Sequence, residues 1–279
     1  MAREPAQGAT QESLQDRFSR ASRVEQGEFE VALLIAEIID DDFDSDRARA
    51  MFSELIEPLL ESSAEAIDAG SVAHAADGLL KSFRQAGFGL PQRAQVGLQH
   101  SNLAWVMEHR QGIPISLAVL LIEAGRRSGL GCHGVNYPGH FLVSIEGQLV
   151  DPVQMRPMDL SQLAGSDIDV QNVPDLMQQT TPKMLAIRML NNVKAYHLGR
   201  RSWSQALEMI DYQLATAGQD KALCASLYYE RGEFWEQLGG FAAAAEAYQK
   251  CCEISPYKDQ ARKAQVRAVE LSSRSETLH

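Results

Sequence analysis

Along most of this chain apolar residues recur at helical spacing, and over one short stretch the period changes to two. Phe29 to Ile39, with Val31, Leu34, Ile35 and Ile38 on one stripe, predicts a helix. Met51 to Leu60 and Ala64 to Phe83 read as two more, the second punctuated by Gly70 and Gly78. Gly87-Phe88-Gly89-Leu90-Pro91 breaks the pattern. Another helix begins in Ser101 to Glu108, with Asn102 near its start and Leu103, Val106 and Met107 inward. Ile115 to Arg127 is apolar almost all round: Leu117, Leu120, Leu121 and Ala124 form the stripe and Val119 and Ile122 widen it, the mark of a helix buried on most faces. Pro114 suits its first position, where a missing N–H costs nothing.

Beyond Ser128-Gly129 the chain reads as extended from Cys132 to Tyr137. It then forms a hairpin from His140 to Ile145 and Gln148 to Asp151, with Glu146-Gly147 as the turn. A two-residue turn pairs Ile145 with Gln148, Leu142 with Asp151 and His140 with Val153. His140, Leu142 and Asp151 then share a face, with His140 and Asp151 diagonal at about 7–8 Å. After Pro152 the stretch to about Val173 is rich in turn formers, and Pro182 opens a long helical region. Residues 225–256 fit a tetratricopeptide template: Gly232, Trp235, Ala244, Tyr248, Cys251 and a closing Pro256. Lys194, His197, Ala206 and Ile210 fit it more weakly, with a longer turn at Thr216–Asp220 between the copies. Two repeats are too few for an independent solenoid, so this lobe must pack on the rest. Residues from about Gln260 read as a capping helix with a polar tail. Residues 1–27 are polar and read as a flexible tail, helical at most in its second half. The expected fold is α+β and predominantly helical, divided into that tail, a lobe plus core over 28–180, and repeat-like helices over 181–279.

The net charge of −11, from 26 basic and 37 acidic residues, disfavours direct binding to nucleic acid or anionic lipid. No apolar run reaches the length of a membrane span. Four cysteines, two of them adjacent, form neither a disulfide framework nor a paired CxxC zinc spacing. The expectation is a cytoplasmic protein without cofactor or metal, binding a protein or peptide through its repeat-like lobe; its oligomeric state is unknown. The acidic run Asp40 to Asp46 lacks the Gly and Glu of a calcium loop, holding Ser45 and Met51 at those places, and reads as a helix connection capped by Ser45 or Asp46.

A nucleophile at the start of the buried helix would complete an arrangement with His140 and Asp151, and Ser116 is the residue offered there. This order of elements resembles the transglutaminase-like, papain-related core. Arg110-Gln111-Gly112-Ile113-Pro114-Ile115-Ser116-Leu117, Gly134-Val135-Asn136-Tyr137-Pro138-Gly139-His140-Phe141 and Asp151-Pro152 are similar to the bacterial family called regulators of SirC expression, in which a transglutaminase-like domain precedes tetratricopeptide-type helices. The resemblance covers the chain from about Phe29 onward. It implies a catalytic triad, active or relic, of Ser116, His140 and Asp151, and binding positions at Asn102 and Asn136. Asn102 reads equally as a helix cap. Transglutaminases carry Cys at the helix start, where this chain has Ser116 or its neighbour Ile115. A helix terminus activates a thiol but does little for an alcohol, so the resemblance implies a non-catalytic interaction or regulatory module. The rival is an active Ser-His-Asp hydrolase or acyl transferase on peptide, amide or ester bonds. Cys132 has no helix terminus behind it, and Cys132, His133, His140 and Asp151 lack metal-ligand spacing.

Overall fold

The computed structural model describes residues 12–92, 96–137, 139–158 and 177–277. The buried helix is its centre. This helix, α6 (Pro114–Arg127), is preceded by α1 (Leu14–Ala21), α2 (Glu28–Ile39), α3 (Ser45–Asp68), α4 (Val72–Gln85) and α5 (Leu103–His109). Ten of its fourteen residues are buried, Leu117 to Leu121 completely. It packs against α2, α4 and α5 on one side and a sheet on the other. The pattern predicted burial on most faces, and toward its end only Glu123, Arg126 and Arg127 keep some contact with water.

The sheet comprises β1 (Cys132–Tyr137), β2 (His140–Ile145), β3 (Gln148–Asp151), β4 (Arg156–Pro157) and β5 (Gln178–Gln179), in the antiparallel order β4-β3-β2-β1-β5. Ile145 pairs with Gln148 and Val143 with Val150, the register expected of a two-residue turn. Glu146 and Gly147 have φ of 50° and 82°, and two positive φ values in succession match a type I′ turn to the twist of the strands. Phe141, Val143, Ile145 and Val150 join the core around α6, whereas Val135, Tyr137 and Leu142 form a second apolar cluster on the other face.

Three local expectations are corrected. Residues 12–27 are not a tail: α1 starts on Ser13, whose side chain accepts from the Asp16 N–H, and Phe18 is fully buried edge-on to Tyr212 at 5.8 Å. Residues 1–11 lie outside the described residues. No break separates Leu60 from Ala64, because α3 runs through the exposed Pro58. Its inward stripe of Phe52, Ile56, Leu59, Ser63 and Ala66 is unbroken, since a small Ser fills a core position there. The helix ends instead at Gly70, whose φ of 75° lets the Ser71 N–H reach back to the Ala66 carbonyl at 2.9 Å. The cap of α3 is Asp44, accepting from the Arg47 N–H at 2.9 Å, rather than Ser45 or Asp46. Most of the expected turn-rich stretch after Pro152, residues 159–176, lies outside the described residues.

Five helices follow: α7 (Pro182–Gly199), α8 (Trp203–Ala217), α9 (Lys221–Gln237), α10 (Phe241–Ile254) and α11 (Lys258–Thr277). Consecutive members pack on each other. Gly232 of α9 lies where α10 crosses it, and a Cβ there would stand 2.7 Å from the Tyr248 ring. The main core runs across residue 181, because Leu185, Ala186, Met189, Leu190 and Val193 of α7 all belong to it. No helix among the described residues is long and apolar enough to cross a membrane.

Candidate functional site

The chain enters α6 through a constrained connection. Gly89 and Gln111 form an isolated bridge, with the Gly112 N–H bonded to the Gly89 carbonyl at 3.1 Å. A Cβ on Gly112 would lie 3.0 Å from Val106, so a side chain there would push the helix start away from α5. Ile113 has no side-chain acceptor to cap the helix, and Pro114 has no N–H to be capped. The Ser116 and Leu117 N–H groups return to the Ile113 carbonyl. Among the described residues the Ile115 N–H has no acceptor.

At this helix start the structure opens a cavity of about 510 Å³, within the range of ligand sites. Its walls are the short 3-10 turn Leu98–Ser101, the first residues of α6, the start of β2 and one stripe of α7. Buried His100 holds the turn in shape, its Nδ1 accepting from the Gly97 N–H at 2.9 Å. Ile115 is part of the wall; Ser116 is not. The Ser116 side chain is directed into the core, fully buried, and its Oγ has no hydrogen-bond partner among the described residues.

His140 and Asp151 are on the hairpin strands as expected, but on the sheet face turned away from α6. Side chains alternate along a strand. Phe141 and Val143 pack toward α6, so His140 lies with Leu142, exposed and 6.0 Å from the Tyr137 ring. Val150 also faces α6, which puts Asp151 on the His140 face. The Asp151 carboxylate is bonded within its own turn, its Oδ1 accepting from Val153 N–H at 2.8 Å and Gln154 N–H at 3.3 Å. Among the described residues no hydrogen bond joins it to His140. The sheet thus lies between the His140 and Asp151 side chains and the helix that carries Ser116.

Asn102 caps α5, its Oδ1 accepting from the Ala104 and Trp105 N–H groups, and its amide donates to Asp40 at 3.2 Å. Asn136 faces the α6 side of the sheet and accepts from Arg188. Burial pushes the Cys132 thiol up to about 12, so it is not an activated nucleophile, and burial also lowers the His133 pKa. Among the described residues no three His, Cys, Asp or Glu side chains cluster to hold a metal.

Sequence reasoning missed the α7 stripe. Arg188 donates to Asn136 Oδ1 and, at 2.9 Å, to the His140 carbonyl, with its guanidinium 5.4 Å over the Phe141 ring. Arg200 stacks 3.6 Å over Tyr196. The available signal was a lone Arg inside the apolar run Met184 to Leu190.

A family model described as the transglutaminase-like superfamily matches residues 48–191. A UPF0162 protein of Xylella fastidiosa is 31% identical over 172 residues, 57% of this chain and 59% of the relative. UPF0162 proteins of Pseudomonas aeruginosa and Vibrio cholerae are 29% and 26% identical, over 52% and 71% of this chain and 56% and 76% of their own lengths. The chain therefore spans about 59% of the Xylella relative. No solved structure matches it.

Proposed function

Because this chain belongs to the transglutaminase-like superfamily, we propose that it is a non-catalytic member, a protein-interaction or regulatory module that keeps the pocket at the helix start without a nucleophile. The observation that carries this reading is what α6 offers to the cavity. An isoleucine of α6 is at the wall, and among the described residues the one hydroxyl on the first turn of α6, that of Ser116, is sealed in the core. A serine nucleophile needs a base within about 3 Å and an open approach for the substrate. His140 on the opposite sheet face and a carboxylate occupied with its own turn support the same reading. The antiparallel helices after Pro182, with Gly232 against Tyr248, support tetratricopeptide-type hairpins and hence the likeness to regulators of SirC expression.

The test is labelling with serine- and cysteine-directed activity probes, wild type against Ser116→Ala. Equal labelling is expected. The substitution should also raise the melting temperature or leave it unchanged, because it removes a buried hydroxyl without a partner, a group that costs about 1–3 kcal/mol. Labelling that disappears in Ser116→Ala overturns the proposal in favour of an active hydrolase or acyl transferase.

A further inference from the structure

The cavity at the start of α6 has a charge pattern unlike the rest of this acidic chain. Although acidic residues outnumber basic ones 37 to 26, its described walls hold Arg188 and Arg200 and no carboxylate. Among the described residues neither guanidinium is in an ion pair. Arg188 is half-buried, and burial lowers its pKa, the sign of a desolvated cation without a counter-charge. A guanidinium has five N–H donors, and two of those on Arg188 are used by Asn136 and the His140 carbonyl. Arg200 lies over the Tyr196 ring, and one of its five N–H groups makes a long 3.5 Å bond to the Tyr196 carbonyl, which leaves the others for an anion.

The two cations do not converge on one group. They are twelve residues apart in sequence, about 18 Å along a helix axis. Arg200 folds back over Tyr196, four residues nearer Arg188, which shortens the separation of the charges along the helix axis to roughly 12 Å. Between them α7 presents Asn192 and Ala195, side chains small enough to leave a trough. Leu98, Ile115 and Phe141 form the apolar opposite wall.

We propose that this trough binds an extended acidic peptide segment of a partner protein, with one carboxylate on Arg188, a second on Arg200 and apolar side chains between them. An extended chain covers roughly 12 Å in about four residues, which sets the spacing of the two acids. Asn192 and Ser101 are the polar wall groups available to the peptide backbone. The chain's net charge of −11 repels acidic peptides in general, so affinity must come from this local pair. The inference rests on the non-catalytic reading, because the segment is held and not cleaved.

The probe is a synthetic peptide, acetylated and amidated, with two glutamates about four residues apart and leucines between. Its affinity for the full chain is measured by calorimetry. Saturable binding is expected, weakened about tenfold by exchanging either glutamate for glutamine, the size of one charge-assisted hydrogen bond. Arg200→Gln should weaken it equally with an unchanged melting midpoint, and should abolish the effect of exchanging the glutamate at its own end. Arg188→Gln is the second variant, and Arg188→Lys separates loss of charge from loss of the Asn136 contact. Absence of binding, equal binding of the glutamine peptides, or indifference to Arg200→Gln overturns the proposal, as does binding of adipate in place of the peptide. Mass spectrometry of the recovered peptide keeps the two readings apart: cleavage sinks the non-catalytic function, whereas loss of Arg200-dependent binding sinks this one.

Discussion

Ile115 and Ser116 are neighbours in the chain and about 100° apart around α6; both are buried, but that rotation lets Ile115 also line the cavity, which Ser116 does not. It also decides which residue corresponds to a nucleophile. With Cys132, Cys224, Cys251 and Cys252 replaced, Ser116→Cys should stay unreactive toward iodoacetamide until the protein unfolds, because no reagent reaches a fully buried side chain. Ile115→Cys should react faster in the folded protein, and below the ordinary thiol pKa of about 8.5, since Ile115, although buried, borders the cavity at a helix N-terminus and the smaller Cys side chain opens that wall. Alkylation rates against pH distinguish the two, and the opposite order would move the site back to Ser116. His133 offers a pH test. Burial and Arg126 lower its folded pKa below the ordinary 6.5, so the unfolded chain binds the proton more readily. The stability this group contributes is complete above that value and is lost as pH falls below it. His133→Gln should therefore flatten the decline in melting temperature between about pH 7 and pH 5.

At the scale of elements, the hairpin was legible because its information is local: Glu146-Gly147 sets the turn, the turn sets the register, and alternation assigns the faces. What alternation could not say was which face meets α6, and that choice put His140 and Asp151 on the far side. The extent of α3 is hidden from periodicity for a related reason, since Ser63 is polar by type and buried by position. The hairpin of α9 and α10 gives the sharpest mutational contrast. Gly232→Leu must displace the Tyr248 ring, whose hydroxyl donates to Glu236 at 2.7 Å, and should cost at least about 1–3 kcal/mol by overpacking. His140→Ala, at an exposed position, should change stability by no more than about 0.5 kcal/mol. Thermal melts of the two variants test the close helix crossing, which an unchanged midpoint for Gly232→Leu would refute.

For the whole molecule, α7 is the joint. One side of it completes the core around α6, another forms the trough, and the buried Lys194 ties it to α8 and α9 through Gln213, at 2.9 Å, and Glu230. Glu28 and Arg126 make a comparable tie between α2 and α6 at 2.6 Å, with Arg126 Nε also donating to the Cys132 carbonyl. A chain shortened to end at Thr181 should accordingly fail to unfold cooperatively. It loses Leu185, Met189, Leu190 and Val193, each worth about 1.5–3 kcal/mol when fully buried, together comparable to the roughly 5–15 kcal/mol that holds a domain folded. Near-ultraviolet circular dichroism on heating decides it, and a sharp transition in the shortened chain would show that the helices after Pro182 are dispensable.

The sequence alone determined the features that depend on neighbours within a few residues: the helix apolar on most sides, its proline start, the hairpin and its register, and the run of paired helices after Pro182. It also carried the family, because the motif from Arg110 to Pro152 is contiguous. Tertiary structure decided whatever depends on distant segments meeting. It set which side of the sheet α6 covers, which of two adjacent residues lines the cavity, and the joining of Arg188 and Arg200 to walls about ninety residues earlier in the chain. Periodicity specifies that a face is buried but not against what, since hydrophobic burial is non-directional. Only the packed chain supplies the partner of each face.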